Sequence, residues 1–166
     1  MVPSEYIETV VLPTLLDYLR APNDRRLAYL SAISAYHVMD YVMRTASLAA
    51  RPARDAEYNR IQDEIIALCP DAFNIVEGIC NGTKHCGRDD PKKAQFTPGD
   101  ETLSRPFGFG PGFAGFGEGT FGPQRILVEH NGRQHVVDEA VVQFLRACQN
   151  AFPTHLAGID LSGLHV

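Results

Sequence analysis

Residues 24–48 form a helix-length segment that is apolar on nearly every side, which restricts the chain to folds that bury a helix all round. Leu27, Leu30, Ser34, His37, Tyr41 and Leu48 fall near one stripe. Ala32, Ile33, Tyr36, Met39 and Met43 fill most of the rest. Such a helix is the central member of a bundle. Its polar residues, His37 and Asp40, are three positions apart and can face the same way. Either Asp40 orients His37 or His85 in a shared polar pocket, or the two form a satisfied buried pair that fixes helix register. The second reading is the commoner fate of buried polar groups.

The other segments supply partners for this helix. Residues 4–20 read as a helix with Ser4 as N-cap and an apolar side of Val10, Val11, Leu15, Leu16 and Leu19. Pro13 inside it predicts a kink or a break. Asn23 can cap the following helix. Arg51-Pro52 reads as a turn, and residues 54–68 as an amphipathic surface helix with Tyr58, Ile61, Ile65 and Leu68 inward. Asp71 can cap a helix over 72–86 that carries Ala72, Val76, Ile79 and Thr83 inward and ends at Gly87. Gly78 and Gly82, four apart, allow a neighbouring backbone to approach closely.

Residues 87–105 are charged and contain Pro91 and Pro98, which predicts a loop. The Gly/Phe-rich stretch 105–123 is too glycine-dense for a regular helix. Asn131-Gly132 between β-prone runs predicts a hairpin over 125–137. Asp138 then caps a helix over 139–152, and residues 153–166 read as an irregular tail. The fold class is therefore mainly α. A single domain is expected, an antiparallel bundle of about five helices with a small β-hairpin before the last helix.

Bulk properties narrow the function classes. With 15 basic and 20 acidic residues the net charge is −5, against broad, sequence-independent nucleic-acid binding through a basic face. A small local phosphate site is compatible with that balance. No apolar run has the length of a membrane span, and no signal pattern opens the chain, so no membrane association and a cytoplasmic location are expected. The four cysteines, Cys69, Cys80, Cys86 and Cys148, form no dense framework and are expected as thiols in a reducing compartment.

The segment Ile79-Cys80-Asn81-Gly82-Thr83-Lys84-His85 concentrates an amide, an ammonium and an imidazole at the end of an apolar helix. Helix-end chemistry accounts for these residue types: cations near a C-terminus complement the dipole and bond its free carbonyls. The same residues also suit a site, since imidazole titrates near neutrality and can act as general acid or base.

In the spacing of Asn81 and His85, and in the order of helices around them, the chain resembles the HEPN-domain ribonucleases. Those are small helical bundles with an arginine, a polar residue and a histidine near a helix end. It is also similar, over about residues 24–150, to a group of uncharacterised bacterial proteins. These join an Ala-rich helix with a His-x-x-Asp-like segment to a later Asn-x-x-Lys-His and a glycine-rich stretch. The resemblance implies a homodimer associated with RNA, in stress or phage defence. It implies His85 as catalytic residue of a metal-independent ribonuclease, with Asn81, Lys84, His37 and Asp40 binding substrate. Cys80 stands where the HEPN motif has arginine; a thiol neither forks around phosphate nor stays charged. The competing class is a non-catalytic module that binds a protein partner.

No metal or other cofactor is expected. Cys80, His85 and Cys86 cluster, but their spacing is not a usual ligand set. Cys80 and His85 are turned apart on a helix, which disfavours a nucleophile–base pair. The run from Phe107 to Gly117 lacks both interleaved arginines and a phosphate-loop Gly-Lys-Ser/Thr ending. A cover over the bundle or a subunit contact is its expected role.

Overall fold

The computed structural model of the protein describes residues 1–46, 51–85, 96, 99–105 and 122–164. Most of the Gly/Phe-rich stretch and the expected Gly87 cap lie outside the described residues. The chain runs through α1 (Pro3–Tyr6), a π-turn (Ile7–Val11), α2 (Leu12–Arg20), α3 (Arg25–Tyr36), α4 (Val38–Arg44), α5 (Arg51–Leu68) and α6 (Pro70–His85). A small sheet of β1 (Thr102–Leu103), β2 (Ile126–His130) and β3 (Arg133–Val136) precedes α7 (Val137–Ala151). Joined where the backbone is continuous, the described helices make five rods, as the sequence pattern requires.

The first rod departs from expectation without breaking. Pro13 has no N–H to give the preceding turn, and the helix widens instead: Leu12 N–H reaches back five residues to Ile7 O. Its start is also earlier than Ser4. Pro3 occupies the first turn, where a missing N–H costs nothing, and the Glu5 carboxylate accepts the Val2 N–H at 3.0 Å. Ile7, Val11, Leu15 and Tyr18 form the buried stripe, whereas Leu16 is exposed.

The second rod, expected to be one helix over 24–48, is interrupted at His37. Asp24, not Asn23, is its N-cap, accepting Leu27 N–H at 3.1 Å. Arg51-Pro52 opens α5 rather than forming a separate turn, with Pro52 in the first turn where it is tolerated.

The helix most enclosed among the described residues is α6, not the second rod. Ala72, Phe73, Ile75, Val76, Glu77, Ile79, Cys80 and Gly82 are all buried, and α6 packs against α3, α5 and α7. At the centre Tyr36, Phe73 and Phe144 meet with ring centroids 6.1–6.5 Å apart, one ring each from α3, α6 and α7. The close approach expected at the two α6 glycines is real. The chain at Phe96 crosses there, its N–H 3.5 Å from Gly78 O and its carbonyl against Gly82.

The hairpin forms as the Asn-Gly pair requires, with φ of 52° at Asn131 and 71° at Gly132 and His130 opposite Arg133. A third strand, β1, pairs antiparallel with β2, Thr102 opposite Leu127. Two residues are too short a run to show an alternating pattern. In α7 the N-cap is Val136, and Asp138 is buried within the first turn, where Arg125 engages it. The C-terminal segment is irregular but packed: Leu156, Ile159, Leu161 and Leu164 are buried, and Gln149 and Arg146 donate to the carbonyls of Ile159 and Leu164. Among the described residues no helix is long and apolar enough to cross a membrane.

Candidate functional site

The residues singled out by sequence fall into two neighbourhoods. The first is the end of α6. Asn81 is half-buried there, and the Thr83 hydroxyl is spent inside the helix, donating to Ile79 O at 2.9 Å and Cys80 O at 3.0 Å. Cys80 is fully buried, so position 80 faces the interior. The backbone of α6 runs on through Lys84 and His85, whose side chains lie outside the described residues.

The second neighbourhood is the junction between α3 and α4. His37 Nδ1 lies 2.7 Å from Asp40 Oδ2. The backbone makes the same link, Asp40 N–H donating to His37 O at 3.0 Å. The spacing leaves open a shared polar pocket or a buried pair that fixes helix register, and both readings place the two side chains inside the bundle. The side chains are instead 31% and 44% exposed, at the point where the helical repeat is interrupted between α3 and α4. A carboxylate on Nδ1 favours the tautomer protonated there, which leaves Nε2 as the free atom for proton transfer or hydrogen bonding. No described contact joins His37 or Asp40 to Asn81.

Asp40 also lines a cleft of about 600 Å³ between α4 and α5. Met43 faces it from α4, and Arg51, Arg54, Tyr58 and Asn59 from α5. The helical spacing of 51, 54 and 58 puts these three on one side of α5. Asp55 shares the rim, loosely paired with Arg51 at 3.9 Å, both side chains being more than two-thirds exposed. Arg54 forms no ion pair among the described residues.

Beneath the cleft is a buried polar network. Tyr58 and Gln62 both donate to the Tyr36 hydroxyl, at 3.4 and 3.2 Å, and Tyr36 donates to Glu77 Oε1 at 3.2 Å. One donor and two acceptor sites of the Tyr36 oxygen are thereby filled. Burial, reinforced by Tyr58 and Glu77, pushes the Tyr36 hydroxyl far above its ordinary range. Burial likewise raises Tyr58, and Tyr6 to about 12, the latter stacked on Tyr41 at 4.1 Å. These phenols stay protonated at any physiological pH and act as hydrogen-bond donors.

Sequence reasoning passed over Tyr36, Glu77, Arg51 and Arg54. Glu77 carried a signal, being the only charged residue between Ala72 and Gly82 of a mostly apolar helix. The arginines carried none, because on an isolated α5 they look like an ordinary solvated face. Among the described residues no group of three or more His, Cys, Asp or Glu side chains is placed to hold a metal ion. No family model, curated protein or solved structure matches the chain.

Proposed function

We propose that the protein is RNA-associated and meets the phosphodiester backbone at the α4–α5 cleft. One observation carries the reading: Asp40, which holds the His37 imidazole at 2.7 Å, lines a cleft into which α5 brings Arg51 and Arg54. Guanidinium groups match phosphate oxygens as a planar fork and keep their charge at every relevant pH. A neutral imidazole with its Nδ1 occupied presents Nε2 to a 2′-hydroxyl or a leaving oxygen. The net charge of −5 confines such binding to a local site, and this cleft sets Arg51 and Arg54 against only two carboxylates, Asp40 and Asp55. Asn81, Lys84 and His85 extend the same reading to the end of α6, as the resemblance to HEPN domains implies.

Binding and cleavage of labelled total RNA, without metal, test it on the wild type, Arg51→Glu/Arg54→Glu, His37→Ala and His85→Ala. Binding by the wild type, weakened at least tenfold by the double charge reversal, is expected. Strand scission that either histidine variant abolishes would identify that histidine as the acid–base group. Binding indifferent to the arginines would remove the cleft from the reading. No binding at all would overturn the RNA reading and favour a module whose partner is another protein.

A further inference from the structure

We infer that the cleft between α4 and α5 receives a single unpaired nucleotide of an RNA strand, its base against Tyr58 and its phosphate on Arg51 and Arg54. The inference rests on the RNA reading above and adds what the cleft selects. Its volume, about 600 Å³, lies within the range of small-molecule sites, roughly 300–1,000 Å³. Its lining is divided along its length. Arg51 and Arg54 stand in the first turn of α5, with the Arg51 side chain 86% exposed, and Tyr58 lies one turn further along.

Tyr58 is held for this role. Its hydroxyl turns inward to the Tyr36 oxygen at 3.4 Å, and that oxygen is fixed in turn by Gln62 and Glu77. The ring bordering the cleft is therefore pre-positioned, and stacking on it costs little conformational entropy. Met43 offers a polarizable contact from α4. Asp40 and Asn59 supply an acceptor and an amide that can meet the edge of a base. The Asp40 carboxylate repels phosphate from that end, so the nucleotide has one favoured orientation. Asp55 opposes phosphate near Arg51, but the 3.9 Å exposed pair is weak enough for phosphate to compete with it. A duplex cannot use this arrangement, because its base faces are already stacked on each other.

Fluorescence anisotropy of a short labelled oligoadenylate, alone and annealed to oligouridylate, tests the inference on the full chain. The single strand is expected to bind at least tenfold tighter than the duplex. Tyr58→Leu is expected to weaken single-strand binding roughly 5- to 160-fold, the range for one lost base–aromatic stack. Tyr58→Phe keeps the ring and is expected to stay within about threefold of wild type. It also controls for loss of the Tyr36 contact. Equal affinity for strand and duplex, or indifference to Tyr58→Leu, would overturn the nucleotide assignment, while continued dependence on Arg51 and Arg54 would keep the RNA reading. Displacement of the strand by free adenosine monophosphate at equal or lower concentration would overturn the strand as source and make the cleft a mononucleotide site. Failure of the wild type to bind any RNA would overturn both.

Discussion

The carbonyl oxygen of Phe96 occupies the space that a β-carbon on Gly82 would take: the two would be 2.0 Å apart. Glycine at 82 is thus a condition for the chain to cross α6 there. In an exposed helix, Gly→Ala would stabilise by about 1 kcal/mol through helix propensity. Gly82→Ala is expected to do the reverse, costing about 1–3 kcal/mol as the Phe96 backbone is pushed off the helix. Urea unfolding gives the sign. A stabilised variant would mean that the crossing yields freely.

Arg125 ties the sheet to the last helix. Its guanidinium bonds Asp138, whose side chain is only 2% exposed, and reaches Glu139 at 2.8 Å. Arg125→Met leaves a buried carboxylate without its cation and is expected to cost about 3 kcal/mol. That is the lower end for a buried pair, since Arg125 keeps a quarter of its side chain in water. Arg125→Met/Asp138→Leu should recover most of the loss, and a double-mutant cycle by chemical denaturation measures how much.

Next to this pair lies the hydroxyl of Tyr18, fully buried and without a hydrogen-bond partner among the described residues. Burial and the Asp138 charge both push its pKa far up, so it stays a neutral phenol. Removing an unsatisfied buried hydroxyl removes a cost and no bond. Tyr18→Phe is expected to leave the midpoint of thermal unfolding unchanged or raised, and a loss above about 1 kcal/mol would reveal a partner for that oxygen.

Glu101 gives the fold a dependence on acid. Burial alone would raise its pKa, but hydrogen bonds from Tyr29 at 2.6 Å and Gly99 N–H at 2.7 Å, with Arg25 at 2.9 Å, outweigh it and leave the pKa lowered. A carboxylate whose folded pKa lies below its unfolded value, about 4.3, stabilises fully above that value. The contribution is withdrawn as pH falls through the folded pKa. Glu101→Gln should cost about 1.5–3 kcal/mol at neutral pH, the range for hydrogen bonds to a charged group. It should also flatten the acid limb of the stability profile. Unfolding followed from neutral pH to pH 3 compares the two limbs, and identical slopes would refute the assignment.

The fold was legible where a local rule and the packing agree. Asn131-Gly132 dictated its turn, Gly82 its close approach, and the apolar periodicity its rods. It was obscured where a tertiary partner took a residue away from its local role. Asp138 is a good capping residue by type, but Arg125 holds it in the helix. The second rod looked like the bundle's centre by composition, yet α6 is the one enclosed, because α3, α5 and α7 all pack against it. The candidate site was legible only in part. His37 and Asp40 were visible as a spacing, but their exposure depends on how α3 and α4 pack into the bundle. The arginines of α5 acquire meaning only when α4 is laid beside them.

The π-turn at Ile7–Val11 sets the rotational phase between the two ends of the first rod. Tyr6, just before it, donates to Ser34 O at 3.0 Å and stacks on Tyr41, while Leu15 and Tyr18, beyond it, face the core. One residue in an ordinary helix corresponds to about 100° of rotation. Shortening this turn by one residue would therefore swing Tyr6 about a quarter-turn away from Ser34 and Tyr41 while leaving α2 seated. The extra residue works as an angular spacer, letting a single continuous helix serve two surfaces that an unbroken α-helical repeat would not address together.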